Sequence, residues 1–193
     1  ILHSEAALLG PIDAAAYNLT FQIGFATTQI CESVAVAVQT LLAREISTES
    51  NSPALRSYCV KHLIHSSIVL GGTVATVLSL VTYLQQENVL IGLTTNLPVR
   101  EVAMAIFPAV LVTQVLKGLA YPVNGIIMGG LDWKFTMLAM WVANVICVGM
   151  LKFGGVVTLT KIWWALAAFM GTQVVTGILR FKSRTGIWKK IHV

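Results

Sequence analysis

The chain has 193 residues, of which 56% are hydrophobic and only 11% charged, whereas soluble domains are about 25% charged. Its formal net charge is +5 at pH 7, but the Lys and Arg residues stand at the ends of apolar segments and form no polar basic domain. This composition excludes a nucleic-acid-binding protein. It predicts an all-α membrane protein with membrane lipid as a partner, because only helices and closed barrels satisfy their backbone groups inside a bilayer.

The first half of the chain contains two long apolar stretches. The first predicted span covers about residues 14–43, follows a Gly10-Pro11-Ile12-Asp13 turn, and is interrupted once by Glu32. The polar stretch 44–57 is predicted to be a solvated loop, and a second span follows at about 58–84. Both spans exceed the roughly 20 residues that a bilayer requires.

Three further spans are predicted in the second half. They cover about residues 100–128, 135–151 and 162–179, and the stretch from Gln85 to Pro98 is expected to be a loop with a short interfacial turn. The third span contains Pro108 and Pro122, which predicts a kink where the freed carbonyl groups find other partners. The sequence therefore predicts five transmembrane helices.

The basic residues fix an expected orientation. The loops and the tail predicted on one side of the membrane carry nine of the thirteen Lys and Arg residues. The opposite side carries Arg100, Lys152 and Lys161, and Lys117 stands inside a span. The positive-inside rule therefore puts the carboxyl terminus in the cytoplasm, or in the stroma of a plastid. Since the chain starts at Ile1 without a signal-peptide pattern and has an odd number of spans, we expect it to be a piece of a longer protein.

Two ionisable residues inside the spans are the first candidates for function. Glu32 stands near the middle of the first span, where a charge costs about 2.5 kcal/mol or more unless it faces a cavity or a partner. Lys117 stands in the middle of the third span, where it would pair with an acid such as Glu32, point into water, or extend its stem towards the interface. The alternative for Glu32 is a structural role, with its side chain held by Gln29, Gln39 or a neighbouring helix.

Polar uncharged residues in the spans are weaker candidates. Each one alone is more often an interhelical hydrogen-bonding group than a ligand contact. Those predicted to line an aqueous cavity are Gln22, Gln39, Gln114, Tyr121 and Asn144.

The sequence contains no enzyme signature that we recognise. It has no GxSxG elbow, HExxH, Walker loop or dinucleotide-binding glycine motif, so transport is favoured over catalysis and no cofactor is expected. His62 and His65 stand three residues apart without a carboxylate or Cys beside them, which favours an interfacial pair over a metal site. The three Cys residues show no CxxC spacing and are expected to be buried free thiols.

Several segments together resemble one transporter family. Residues Gly118–Phe135 resemble the tenth helix and the following joint of the MATE (multidrug and toxic compound extrusion) family. Residues 10–43 are similar to the eighth helix with its preceding loop, and the tail at 177–180 and 185–189 resembles the end of the last helix in the plant and algal, plastid-associated branch. The resemblance implies helices eight to twelve of a twelve-helix transporter.

The resemblance also implies a function and its residues. It implies a carboxy-terminal lobe that works with an amino-terminal lobe of the same chain and exchanges a small organic solute for H⁺ or Na⁺. Glu32 matches the acidic position of the eighth helix. Asn124 departs from the family pattern, in which Asp commonly precedes that Gly, so coupling by this lobe is in doubt at that position. For Asp132 a turn and helix-capping role is expected.

Two other functions stay open at this point. A flippase for lipids or polysaccharide precursors would need a larger and more cationic cavity. A non-transporting scaffold subunit would instead bury both Glu32 and Lys117 against packed helices. The plastid envelope, the plasma membrane and the vacuolar membrane are the expected locations.

Overall fold

A computed structural model of the chain describes residues 2–47, 52–153, 155–183, 185–186 and 188–189. The elements within these ranges are α-helices separated by short joints. In chain order they are α1 (Leu2–Leu8), α2 (Pro11–Ser47), α3 (Pro53–Leu84), α4 (Gln86–Leu93), α5 (Leu97–Gly129), α6 (Trp133–Phe153) and α7 (Leu159–Lys182).

Five of the helices confirm the prediction of an all-α membrane protein with five membrane-spanning helices. Helices α2, α3, α5, α6 and α7 are long and apolar enough to cross a membrane, and each covers one predicted span and extends beyond it at one or both ends. Polar caps explain several of the earlier starts. Ser52, Asn96 and Thr158 accept hydrogen bonds from the backbone N–H groups of Leu55, Val99 and Lys161, at 3.4, 3.3 and 3.2 Å, so α3, α5 and α7 begin directly after these caps.

Several details differ from the sequence-based expectations. The stretch after Gln85 contains a two-turn helix, α4, where a loop with a short turn was expected. Helix α2 continues to Ser47, into the predicted polar loop, while residues 48–51 of that loop lie outside the described residues. Arg184 and Lys190, which are among the basic residues counted above, and Ile187 of the tail segment lie outside them as well.

Helix α5 is the central element of the bundle. It packs against α2, α3 and α7, whereas α6 packs mainly against α7. Small residues make these approaches close: a Cβ on Gly118 would lie 2.2 Å from Cβ of Ala75, and a Cβ on Gly125 would lie 2.4 Å from the carbonyl oxygen of Ala35. Because lipid is as apolar as the side chains, such close backbone packing is a main source of association between membrane helices.

The joints that carry most of the basic residues meet at one end of the bundle. Trp188, which follows α7, packs in one hydrophobic cluster with Leu42 of α2, Val60 of α3 and Ile127 of α5. The Asp132 joint lies at the same end, because its carboxylate binds Arg180 of α7 at 2.7 Å. The structure thus brings together the three joints that the charge count had assigned to one side. That this side faces the cytoplasm or stroma stays a prediction.

Candidate functional site

Helix α2 exposes a polar stripe along one side. Its members fall on one face of a helix with 3.6 residues per turn, and all are exposed: Asn18, Gln22, Gln29, Glu32, Ser33 and Thr40. We call this set the α2 polar stripe. Ser33 and Thr40 donate to the carbonyl groups of Gln29 and Val36, each at 2.9 Å, so these two hydroxyls are satisfied within their own helix. The amides and the carboxylate of the stripe point away from the bundle.

Glu32 lies at the centre of this stripe. Its side chain is exposed and borders an open groove formed by residues of α2 alone, including Gln29 and Val36. Within the described part of the chain Glu32 makes no ion pair. Tyr121 of α5 is half-buried and lies within electrostatic range of Glu32.

Lys117 occupies the opposite environment. Its side chain is only 5% exposed and lies between α5 and α2, where Nζ donates a hydrogen bond to Oγ1 of Thr28 at 3.2 Å. The ammonium group also lies 5.8 Å from the centre of the Phe21 ring, within the range of a cation–π contact. The sequence left three environments open for Lys117: pairing with an acid, contact with water, or extension of its stem towards the interface. The structure instead gives Lys117 a hydroxyl and an aromatic ring.

Gln114 lies one helical turn before Lys117 and is also buried, with 2% exposure. Both polar atoms of its amide have no hydrogen-bond partner in the described part of the chain. The amide packs directly on the backbone of α2, since a Cβ added to Gly24 would lie 1.9 Å from Nε2 of Gln114. Only a glycine at position 24 leaves room for this side chain.

Asn124 connects α5 to α7. Its side-chain amide donates a short hydrogen bond to Oε1 of Gln173, which is 3% exposed. Because the amide of Asn124 supplies the proton, an uncharged residue suits this position in the observed arrangement. The sequence did not predict this pairing. The available signal was one polar amide in each of two otherwise apolar spans, since such residues often form hydrogen bonds between membrane helices.

The remaining candidates are dispersed. Gln22 belongs to the exposed stripe of α2, Gln39 is half-buried, and Asn144 is exposed on α6, where Nδ2 donates to the carbonyl oxygen of Met140 at 3.3 Å. The structure therefore places Gln22 and Glu32 on the exposed side of α2 and Tyr121 half-buried on α5, and brings Lys117 and Gln114 together in the α2–α5 interface. Thr28, missed as a candidate, stands four residues after Gly24 in a small-residue pattern that favours helix contact.

Asp132 has a role beyond the turn and helix start expected for it. Its backbone carbonyl accepts from Thr136, as expected for a residue that begins α6. Its carboxylate, however, accepts from Nε of Arg180 at 2.7 Å and from Nε1 of Trp188 at 3.1 Å. The side chain of Asp132 thus ties α6 to the end of α7 and to the tail, because the basic and aromatic donors of those segments reach it.

Comparisons with known proteins agree with the resemblance noted in the sequence. The chain is 27% identical over 189 residues, or 97% of its length, to Protein DETOXIFICATION 44, chloroplastic, of Arabidopsis thaliana. It is 25% identical over 191 residues to Protein DETOXIFICATION 43 and 23% identical over 186 residues to Protein DETOXIFICATION 42 of the same plant. No protein-family model and no solved structure matches the chain.

The extent of these matches is also informative. The chain spans about a third of the length of the curated relatives, 35%, 34% and 35% respectively. These similarities confirm the resemblance to the MATE family and to its plant branch. Together with the five apolar helices they identify the chain as a multi-pass integral membrane protein.

Proposed function

We propose that this chain, a relative of the DETOXIFICATION proteins of the MATE family, forms the carboxy-terminal lobe of a secondary transporter. In this proposal a second lobe of the same protein packs against it, and the two rock about a central cavity to export a small organic solute in exchange for H⁺ or Na⁺. Similarity to the relatives supports the class of membrane transporter. The solute, the coupling ion and the second lobe are proposals.

The α2 polar stripe is the observation that carries the proposal. Exposed amides and a carboxylate in the middle of a membrane helix are costly against hydrocarbon, so they face water or another part of the protein. The stripe lies on a side of α2 that no other described helix covers, where the exposed apolar residues Phe25 and Val36 stand between its members. A water-filled cavity between two lobes provides the environment that this side requires.

Glu32 is the acid that we propose to couple solute to ion movement. It stands in the stripe, is exposed, and makes no ion pair with the described residues. A carboxylate in this state is available to bind H⁺ or Na⁺ and to release it when the cavity changes sides. Tyr121, which lies within electrostatic range of Glu32, is proposed to adjust its affinity for the ion.

The two alternatives fit the observed residues less well. A flippase requires a cationic cavity, whereas the charge in the described α2 polar stripe is the acidic Glu32 and the buried Lys117 lies outside the stripe. A scaffold subunit would bury both charged residues against packed helices. Lys117 is buried in this way, but Glu32 is exposed, which favours a transporter.

The chloroplast envelope is the proposed location. One of the relatives carries the word chloroplastic in its name, and the tail of this chain resembles that branch. Imaging of the full-length protein fused to a fluorescent protein tests the location. An exclusive signal at the plasma membrane or the vacuolar membrane would contradict it.

Reconstitution of the full-length protein in liposomes tests the function. We expect an imposed pH or Na⁺ gradient to drive exchange of at least one member of a panel of radiolabelled organic cations and anions. Glu32→Gln keeps the size of the side chain but removes the charge, and we expect it to abolish the gradient dependence. Ser33→Ala, at the neighbouring exposed position, is the matched control and should transport normally. Undiminished coupling in Glu32→Gln would contradict the role of this acid.

A further inference from the structure

Trp188, which follows α7 in the sequence, lies against the end of the bundle. Trp188 is fully buried there, with its ring 5.1 Å from that of Phe181. The contact with the α5–α6 joint is close, because a Cβ on Gly130 would lie 2.8 Å from Cζ2 of Trp188. A tail that follows the last membrane helix is therefore docked by a large aromatic side chain.

One carboxylate oxygen holds this arrangement. Oδ2 of Asp132 accepts both from Nε of Arg180, at 2.7 Å, and from Nε1 of Trp188, at 3.1 Å. Arg180 also lies over the Phe135 ring, 5.1 Å from its centre. We call the set Asp132, Arg180 and Trp188 the tail latch. Arg180 and Trp188 both donate to the same oxygen of Asp132. Because Arg180 helps to hold this oxygen in place, displacement of Arg180 also disturbs the hydrogen bond of Trp188.

Two exposed hydroxyl groups lie beside the latch. The guanidinium group of Arg180 donates a short hydrogen bond through Nη1 to Oγ1 of Thr185. Oγ of Ser183 lies 3.1 Å from the same Thr185 oxygen and donates to the carbonyl oxygen of Arg180 at 2.8 Å. Ser183 directly follows α7 and is exposed, so its hydroxyl is reachable from the water phase while it stays within reach of the Arg180 side chain.

We propose that Ser183 is a phosphorylation site and that its phosphate releases the tail latch. The donor is ATP, bound to a serine/threonine kinase with an acidic substrate groove. In the transfer, Ser183 Oγ forms a bond to the γ-phosphorus as the bond to the bridging β–γ oxygen breaks. The hydroxyl proton passes to the base of the kinase, and ADP leaves.

The positive charge around Ser183 suits a kinase with an acidic substrate groove. Arg180 stands three residues before Ser183, Lys182 directly before it and Arg184 directly after it in the sequence. Complementary charge on the kinase steers and orients such a segment. No acidic residue stands between Arg180 and the end of the chain.

The phosphate acts on the latch in two ways. It carries a charge of about −1.5 to −2 and three acceptor oxygens, so it competes for Arg180 with the single negative charge of Asp132. It also stands at the carboxyl end of α7, where a negative charge opposes the helix dipole and loosens the last turn. Both effects remove Arg180 from Asp132, so the carboxylate that accepts from the indole N–H of Trp188 loses the cation that holds it in place.

Phosphorylation of the purified full-length protein in detergent tests the proposal. A basophilic kinase and labelled ATP should incorporate phosphate at Ser183, as located by mass spectrometry. Ser183→Ala should abolish this incorporation, and Thr185→Ala, the matched control, should retain it. Hydrogen–deuterium exchange of the peptide that contains Ser183 and Trp188 should then be about tenfold faster in the phosphorylated protein, as expected for loss of a charge-assisted contact. Asp132→Asn should accelerate the same exchange without phosphate.

Three results would overturn the proposal. The first is that the wild-type protein incorporates no phosphate. The second is that Ser183→Ala leaves the incorporation of phosphate unchanged. The third is that phosphorylation of Ser183 does not accelerate hydrogen–deuterium exchange in the tail peptide. These measurements do not involve transport, so their failure is distinct from a failure of the proposed function.

Discussion

Lys117 of α5 donates a hydrogen bond to Thr28 of α2, with 3.2 Å between Nζ and Oγ1. The hydroxyl of Thr28 in turn donates to the carbonyl oxygen of Gly24 at 2.9 Å. A buried ammonium group thus has one neutral acceptor and one aromatic ring among the described residues. Because a buried charge without a counter-ion is costly, substitutions of Lys117 and Thr28 can measure how much this charge contributes to the stability of the protein.

Lys117→Met should leave the fold intact and raise its stability slightly. The substitution keeps the length of the stem but removes the charge, and Thr28 retains its bond to Gly24. We expect the free energy of unfolding to be unchanged or higher by about 1 kcal/mol, measured by thermal unfolding in detergent. Lys134→Met, at an exposed position, is the control and should have no effect. A clear loss of stability in Lys117→Met would show that the ammonium group stabilises the α2–α5 interface.

Thr28→Val should be more harmful than Lys117→Met. It has nearly the same shape but leaves the ammonium group of Lys117 without its acceptor, at a cost of about 1–3 kcal/mol or more. The double variant Thr28→Val, Lys117→Met should recover most of this loss, since the unpaired charge is gone. A double-mutant cycle of unfolding free energies measures the coupling. Purely additive effects would mean that the hydrogen bond contributes nothing.

Gly118→Ala should weaken the packing of α3 on α5. The added Cβ would lie 2.2 Å from Cβ of Ala75 and 2.6 Å from the carbonyl oxygen of Gly71, so the helices must separate, at a cost of about 1–3 kcal/mol. Gly149→Ala is the matched control, because a Cβ there meets nothing within 4 Å. In α6 the same substitution should gain up to about 1 kcal/mol of helix propensity. Equal unfolding temperatures for the two variants would contradict close packing at Gly118.

Asn124→Asp tests whether this position is coupled to ion movement. Gln173 can turn its amide so that Nε2 donates to the new carboxylate, so we expect the protein to fold. Asn124→Leu, by contrast, leaves the buried Gln173 amide unpaired and should cost about 1–3 kcal/mol. We expect Asn124→Asp to change the Na⁺ or pH dependence of exchange in liposomes. An unchanged dependence would show that the position is only structural in this chain.

The helices were predictable because their signal is local. Long uncharged runs are required by the bilayer at each span separately, so the five membrane helices follow from the residues of each segment alone. The ends were less predictable: Asn96 is a good cap for α5, but Pro98 beside it also favours a loop. Helix α4 has only eight residues, too few for a clear periodic pattern, and its two turns were therefore missed.

The contacts of the candidate residues were not predictable in the same way. They depend on how each helix is rotated about its axis, and a span that is apolar nearly all round carries little information about rotation. Thus Glu32 and Lys117 were considered as partners, yet one faces outwards from α2 and the other lies in the α2–α5 interface. The hydrogen bonds of Asn124 with Gln173 and of Asp132 with Trp188 join residues far apart in the sequence.

The central position of α5 has a consequence for how this protein can diverge over evolution. A substitution on α5 meets neighbours on α2, α3 or α7, so an acceptable change often needs a compensating change on another helix. Most of the surface of α6 contacts no other described helix, as the exposure of Trp141 and Val145 illustrates. Related chains should therefore accumulate independent substitutions on α6, whereas variation on α5 should occur as correlated pairs. An alignment of many relatives can test this pattern.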